Sequence, residues 1–151
     1  MLRSVSTLSF EDLVAAFGPD AGNLPDGEAV GSSADDWPAV LDALGRSGWP
    51  TSPHLAAALD TEEHPTLVVH PSPTVQVNFF PGWGYVAFDI DLRELVDQET
   101  TDVVLAVIAL VGRATGRTVV LSHEGGGPES AVLAYDPSDD EHRLLPPRPR
   151  T

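Results

Sequence analysis

DQETTDVVLAVIALVGRATGRTVVL, residues 97–121, carries the densest apolar run of the chain, and its reading decides the fold. Val103 to Val111 are all apolar, and Val103, Val104, Val107, Ile108 and Val111 are β-branched. Periodicity alone does not separate a buried helix from a buried strand in such a run. The flanks do. Asp97, Glu99 and Asp102 stand where carboxylates favour the positive end of a helix dipole, and Arg113 and Arg117 stand where cations favour the negative end. Asp97 or Thr100 can cap the start, and Gly112 or Gly116 can end it. The pattern predicts one helix over about 97–115, followed directly by a strand. Val104, Val107, Ile108 and Val111 share one face, and Ala106 and Ala109 lie on the thinner side. The run is shorter than the roughly 20 apolar residues of a membrane span.

Outward from this helix, the preceding sequence alternates. Val75, Val77 and Phe79 oppose Thr74, Gln76 and Asn78, and Val86, Phe88 and Ile90 oppose Tyr85, Ala87 and Asp89. Phe80-Pro-Gly-Trp-Gly84 reads as the hairpin loop between these two strands. Thr66–His70, Thr118–Leu121 and Ala131–Tyr135 complete a predicted sheet of about five strands. Two helices are predicted before it. Ser9 caps one through Phe17. Ser33 or Asp35 caps another, with the stripe Trp37, Val40, Leu41 and Leu44, closed by Gly45. Residues 18–34 read as a long surface loop, 46–53 as a turn region carrying Trp49, 54–59 as a short helical turn and 61–65 as a polar break. Residues 136–151 read as a polar tail. The expected fold is α+β: one domain over 1–143, mainly antiparallel, with the long helix packed on one sheet face, and a flexible tail over 144–151.

Composition narrows the function classes. The chain has 151 residues, 42% of them hydrophobic, which is enough to bury a core. The absence of cysteine excludes disulfides, thiolate metal sites and cysteine nucleophiles. No basic stretch precedes an apolar run at the N-terminus, so a cytoplasmic protein is expected. Asp and Glu number 23 against 8 Lys and Arg, all of them Arg, for a net charge of −15. That balance argues against nucleic acid and against anionic membranes as partners, and it permits a basic protein partner.

Four groups carry candidate chemistry. Asp89 and Asp91 alternate on one face and can act as paired carboxylates, although an Asp at a strand end is commonly a solvated residue or a turn cap. His123-Glu124, with Asp136 or His142, can ligate a metal, but no paired spacing supports it. Gly125-Gly126-Gly127 can cradle an anion, yet it joins two strands between Glu124 and Glu129, which would repel phosphate. Phe80, Trp83 and Tyr85 fall at a hairpin tip or on the face opposite the core, with acidic neighbours Asp89, Asp91 and Glu94 as a polar rim. These residues, Phe80, Trp83, Tyr85, Asp89 and Asp91, form the expected partner-binding set. No catalytic, cofactor or metal residue is assigned.

The segment AFDIDLRELVDQETTDVVLAVIALVGRATGRTVVLSHEG, followed by AVLAYDP, resembles the C-terminal half of small acidic proteins of high-G+C bacteria. Most of these are uncharacterised, and some are similar to immunity proteins that neutralise a toxin encoded beside them. The resemblance covers roughly a third of the chain and brings no catalytic motif. It implies a binder rather than an enzyme. The expected function is therefore a non-enzymatic protein-binding module, such as an immunity-like inhibitor of a basic partner. The alternatives are a self-associating structural protein, or a small-molecule binder or enzyme with a site near Asp89 and His123.

Overall fold

The computed structural model describes residues 8–18, 23–52 and 66–146. The helical turn expected at 54–59, the polar break at 61–65 and the end of the tail lie outside these ranges. In chain order the described elements are α1 (Phe10–Phe17), β1 (Asp26–Ala29), α2 (Trp37–Ser47), β2 (Thr51–Ser52), β3 (Leu67–Ser72), β4 (Val75–Phe79) and β5 (Ala87–Ile90). Then come α3 (Gln98–Thr115), β6 (Val119–Ser122), β7 (Ala131–Asp136) and β8 (Glu141–Leu144). The strands form one open sheet in the order β2-β3-β4-β5-β1-β6-β7-β8, and every neighbouring pair is antiparallel.

The expectation of about five strands is corrected to eight. The five expected strands are present, and β1, β2 and β8 are added. β1 separates the two N-terminal helices and lies at the centre of the sheet, within the stretch read as a surface loop. β8 lies in the stretch read as a polar tail. α2 also runs past Gly45 and ends at Gly48, whose φ of 79° is the left-handed conformation of a helix C-cap.

α3 forms because its ends are capped as their residues allow. The Asp97 carboxylate accepts the Thr100 N–H at 2.9 Å, and the Thr100 hydroxyl accepts the Asp97 N–H at 3.2 Å. Gly116 closes the helix in the left-handed region, donating to the Gly112 carbonyl at 2.8 Å. Val104, Val107, Ile108 and Val111 are buried, and Ala106 faces out. Each such buried side chain contributes on the order of 1.5–3 kcal/mol by leaving water.

The register explains which face the helices cover. Leu67, Phe79, Phe88, Gly27, Leu121, Leu133 and Leu144 form one row across seven strands. This apolar row belongs to the face on which α3 lies, and Trp37 of α2 meets Phe79 edge-on at 6.4 Å. Gly27 interrupts the row because the Phe88 ring fills its side-chain position: an added Cβ would stand 2.2 Å from Phe88 Cζ. α3 itself comes close at Gly112, where a Cβ would meet the Tyr135 ring at 2.5 Å.

The opposite face is built of the alternate residues. Asn78, Asp89, Asp26 and Ser122 form one row, and Ala87, Glu28, Val120, Ala134 and Arg143 form the next. Its central strands carry carboxylates where the other face carries Phe88 and Leu121.

Candidate functional site

The hairpin loop between β4 and β5 is held from below. The Trp37 indole N–H donates to the Trp83 carbonyl at 3.2 Å, and the Val86 N–H donates to the Ser32 hydroxyl at 2.9 Å. A turn closed by Trp83 N–H to Phe80 carbonyl at 3.0 Å stacks the Phe80 and Trp83 rings at 4.8 Å and 17°. Tyr85 lies next, 5.8 Å from Trp83. Phe80 is half-buried, whereas Trp83 is 48% and Tyr85 37% exposed. The aromatic series is thus fixed in place yet open on one side.

Trp83 and Tyr85 form one wall of a cleft of about 220 Å³. Asp26 and Glu28 of β1, with Gly125 and Gly127 of the loop after β6, line the rest. Glu129 folds over this loop, its carboxylate lying 3.1 Å from where a Gly127 Cβ would be. Glu28 is half-buried, and the loss of water together with the Glu129 and Asp26 charges pushes its carboxyl above the usual range. Asp89, next to Asp26 in the row, is also pushed up, chiefly by burial. The Asn78 amide, which donates to it at 2.8 Å, acts against this, and the Asp26 and Glu124 charges add to the rise. Burial and the Glu28 charge raise Tyr85 as well. This is a locus where partly buried carboxylates crowd together.

The structure distributes the expected partner-binding residues unevenly. Phe80, Trp83 and Tyr85 come together, and Asp89 stands on the same open face. Asp91 is engaged elsewhere: it accepts Nε and Nη2 of Arg93 at 2.9 and 2.8 Å and caps the short turn Leu92–Glu94. That pairing holds its carboxyl below the usual range. Glu94, expected in the rim, accepts the Gln76 N–H at 3.0 Å. The carboxylates nearest the rings are instead Asp26 and Glu28. Neither was expected from sequence, because Asp-Gly-Glu-Ala, the β1 segment, has low strand preference. The one faint signal is the alternation of Asp26 and Glu28 with the small residues Gly27 and Ala29.

The other candidates resolve separately. His123 meets Phe17 of α1 edge-on at 5.6 Å and lines a different cavity, with Ala15, Ala16 and Val132. His142 reaches the Leu105 carbonyl with Nε2 at 2.9 Å, and its ring lies tilted against Tyr135 at 4.8 Å. Asp136 accepts from Ser138. Among the described residues, no three His, Asp or Glu side chains gather as metal ligands would. The Gly125 N–H, which an anion would need, already donates to Asp26 at 2.9 Å. No helix among the described residues is long and apolar enough to cross a membrane.

Comparison with protein-family profiles, with curated proteins and with solved structures finds no match to this chain. Function must therefore be read from the geometry of this face.

Proposed function

We propose that the chain is a non-enzymatic protein-binding module whose open sheet face docks a basic partner protein. An immunity-like inhibitor that occludes such a partner is one protein of this kind. The observation that carries the reading is the fixed aromatic series Phe80–Trp83–Tyr85 beside the carboxylates Asp26, Glu28 and Asp89. Large rings supply contact area at little entropic cost, and a partly buried acidic centre favours a cationic complement and speeds its encounter. The net charge of −15 extends the same preference over the whole surface.

The test begins with affinity capture from the source lysate at low and at roughly physiological salt, followed by binding measurements on the isolated partner. Trp83→Ala and Asp89→Asn are expected to weaken the complex roughly tenfold or more each, as central interface residues do. Asp42→Asn, on the far side of α2, is the control and is expected to leave affinity unchanged. Undiminished binding by both site variants would remove this face as the docking surface.

A further inference from the structure

The cleft has a more specific character than the face around it, and its occupant can be inferred if that face is the docking surface proposed above. We infer that the cleft between β1, Trp83, Tyr85 and the glycine loop receives a single arginine side chain of the partner. The guanidinium lies against the exposed rings with its N–H groups directed at Glu28 and Asp26.

Three observations point to this occupant. The first is charge left uncompensated. Each described arginine pairs elsewhere: Arg46 with Asp42, Arg93 with Asp91, Arg113 with Asp140, Arg117 with Asp36 and Arg143 with Asp139. Among the described residues, neither Glu28 nor Glu129 has a hydrogen-bond donor or an ion-pair partner. Glu28 is half-buried in this condition, so an incoming cation relieves a repulsion already present.

The second observation is size. About 220 Å³ lies below the roughly 300–1,000 Å³ of small-molecule sites, and it suits one long side chain better than a free metabolite.

The third is the pairing of walls. A ring face beside a carboxylate favours a planar cation that can stack and donate in a fork at once. Arginine does both; lysine offers a compact, strongly hydrated point charge.

The experiment is a two-dimensional amide NMR titration of the full chain at low salt with N-acetyl-arginine amide. N-acetyl-citrulline amide, isosteric and uncharged, is the control. The inference expects saturable shifts at the Trp83 indole N–H and the Gly125 and Gly127 amides with the arginine probe alone. Glu28→Gln, close in shape to the native residue, and Trp83→Ala should each weaken binding roughly five- to tenfold. Equal shifts with citrulline, shifts elsewhere on the surface, or affinity unchanged in both variants would overturn the receptacle. If Arg148→Gln/Arg150→Gln increases affinity for the probe, the cleft belongs to the chain's own arginines, and the partner as occupant is overturned. A basic partner whose salt-sensitive binding depends on Trp83, with no response to the arginine probe, removes the receptacle and leaves the docking face. Partner binding indifferent to Trp83, Asp89 and Glu28 removes both.

Discussion

At the scale of single residues, the two faces of this sheet put opposite demands on ionisable groups. His142 is turned inward from β8, with Leu105 of α3 and Tyr135 around its ring and with Asp140 and Arg113 close enough to act on it. Burial is the main cause that holds its pKa below the ordinary value, and the bond to the Leu105 carbonyl opposes it. The unfolded imidazole therefore takes up its proton first. The stability this confers is complete above the unfolded pKa of about 6.5 and is lost as pH falls through that value toward the folded one. Urea unfolding should show stability roughly level from pH 8 to pH 7 and dropping below about pH 6.5, by at most about 1.4 kcal/mol per pH unit from this group. His142→Gln should flatten that part of the curve; an unchanged slope would exclude the imidazole as its source. Glu28 and Asp89 carry the reverse sign, because their raised pKa makes protonation favour the folded state. Their place in the candidate site was only half visible in sequence. Asp89 emerged from strand alternation, whereas Glu28 required knowing that Asp-Gly-Glu-Ala is a strand at all.

At the scale of elements, α3 is where local preference and tertiary contact conflict at one position. Gly112 lies inside a helix, where alanine is better by about 1 kcal/mol. The Tyr135 ring occupies the space a methyl group would need, at 2.5 Å, and overpacking of a core costs typically about 1–3 kcal/mol. Gly112→Ala should therefore destabilise the protein by up to about 2 kcal/mol. Combining it with Tyr135→Leu, which clears the space, should recover part of that loss beyond additivity. A stabilised single variant would show that the ring moves aside freely. The helix boundaries were readable because capping is local: Asp97, Thr100 and Gly116 act within one turn of the ends they define. The strands Val75–Phe79 and Ala131–Asp136 were readable for a similar reason, with enough apolar residues to declare themselves. β1, β2 and β8 were not. β1 pairs on both sides through its backbone, and its side chains are chosen to leave room for Phe88 and to face the cleft. β2 has only two residues, and β8 is polar at the sheet edge.

At the scale of the whole molecule, charge governs behaviour in solution. Fifteen net negative charges repel one another, and the described ion pairs are largely exposed, where each is worth about 0–1 kcal/mol. Screening should therefore help the fold more than it hurts these pairs. Raising NaCl from about 10 mM to about 300 mM is expected to raise Tm by roughly 3–6 °C. A falling Tm would mean that the ion pairs outweigh the repulsion. The same screening should weaken any complex with a basic partner, so stability and binding respond to salt in opposite directions. Topology has a consequence of its own. β5 and β6 each run antiparallel to β1, so they are parallel to each other, with α3 crossing between them over a gap one strand wide. The strand that fills the gap is supplied by the N-terminal part of the chain, while everything it joins comes later. Without it, β2–β5 and β6–β8 are two half-sheets with facing open edges. The molecule is accordingly built as a lock and a key of unequal size: a short N-terminal piece bearing β1 is the natural point at which this fold divides into two fragments that reassemble by adding a strand.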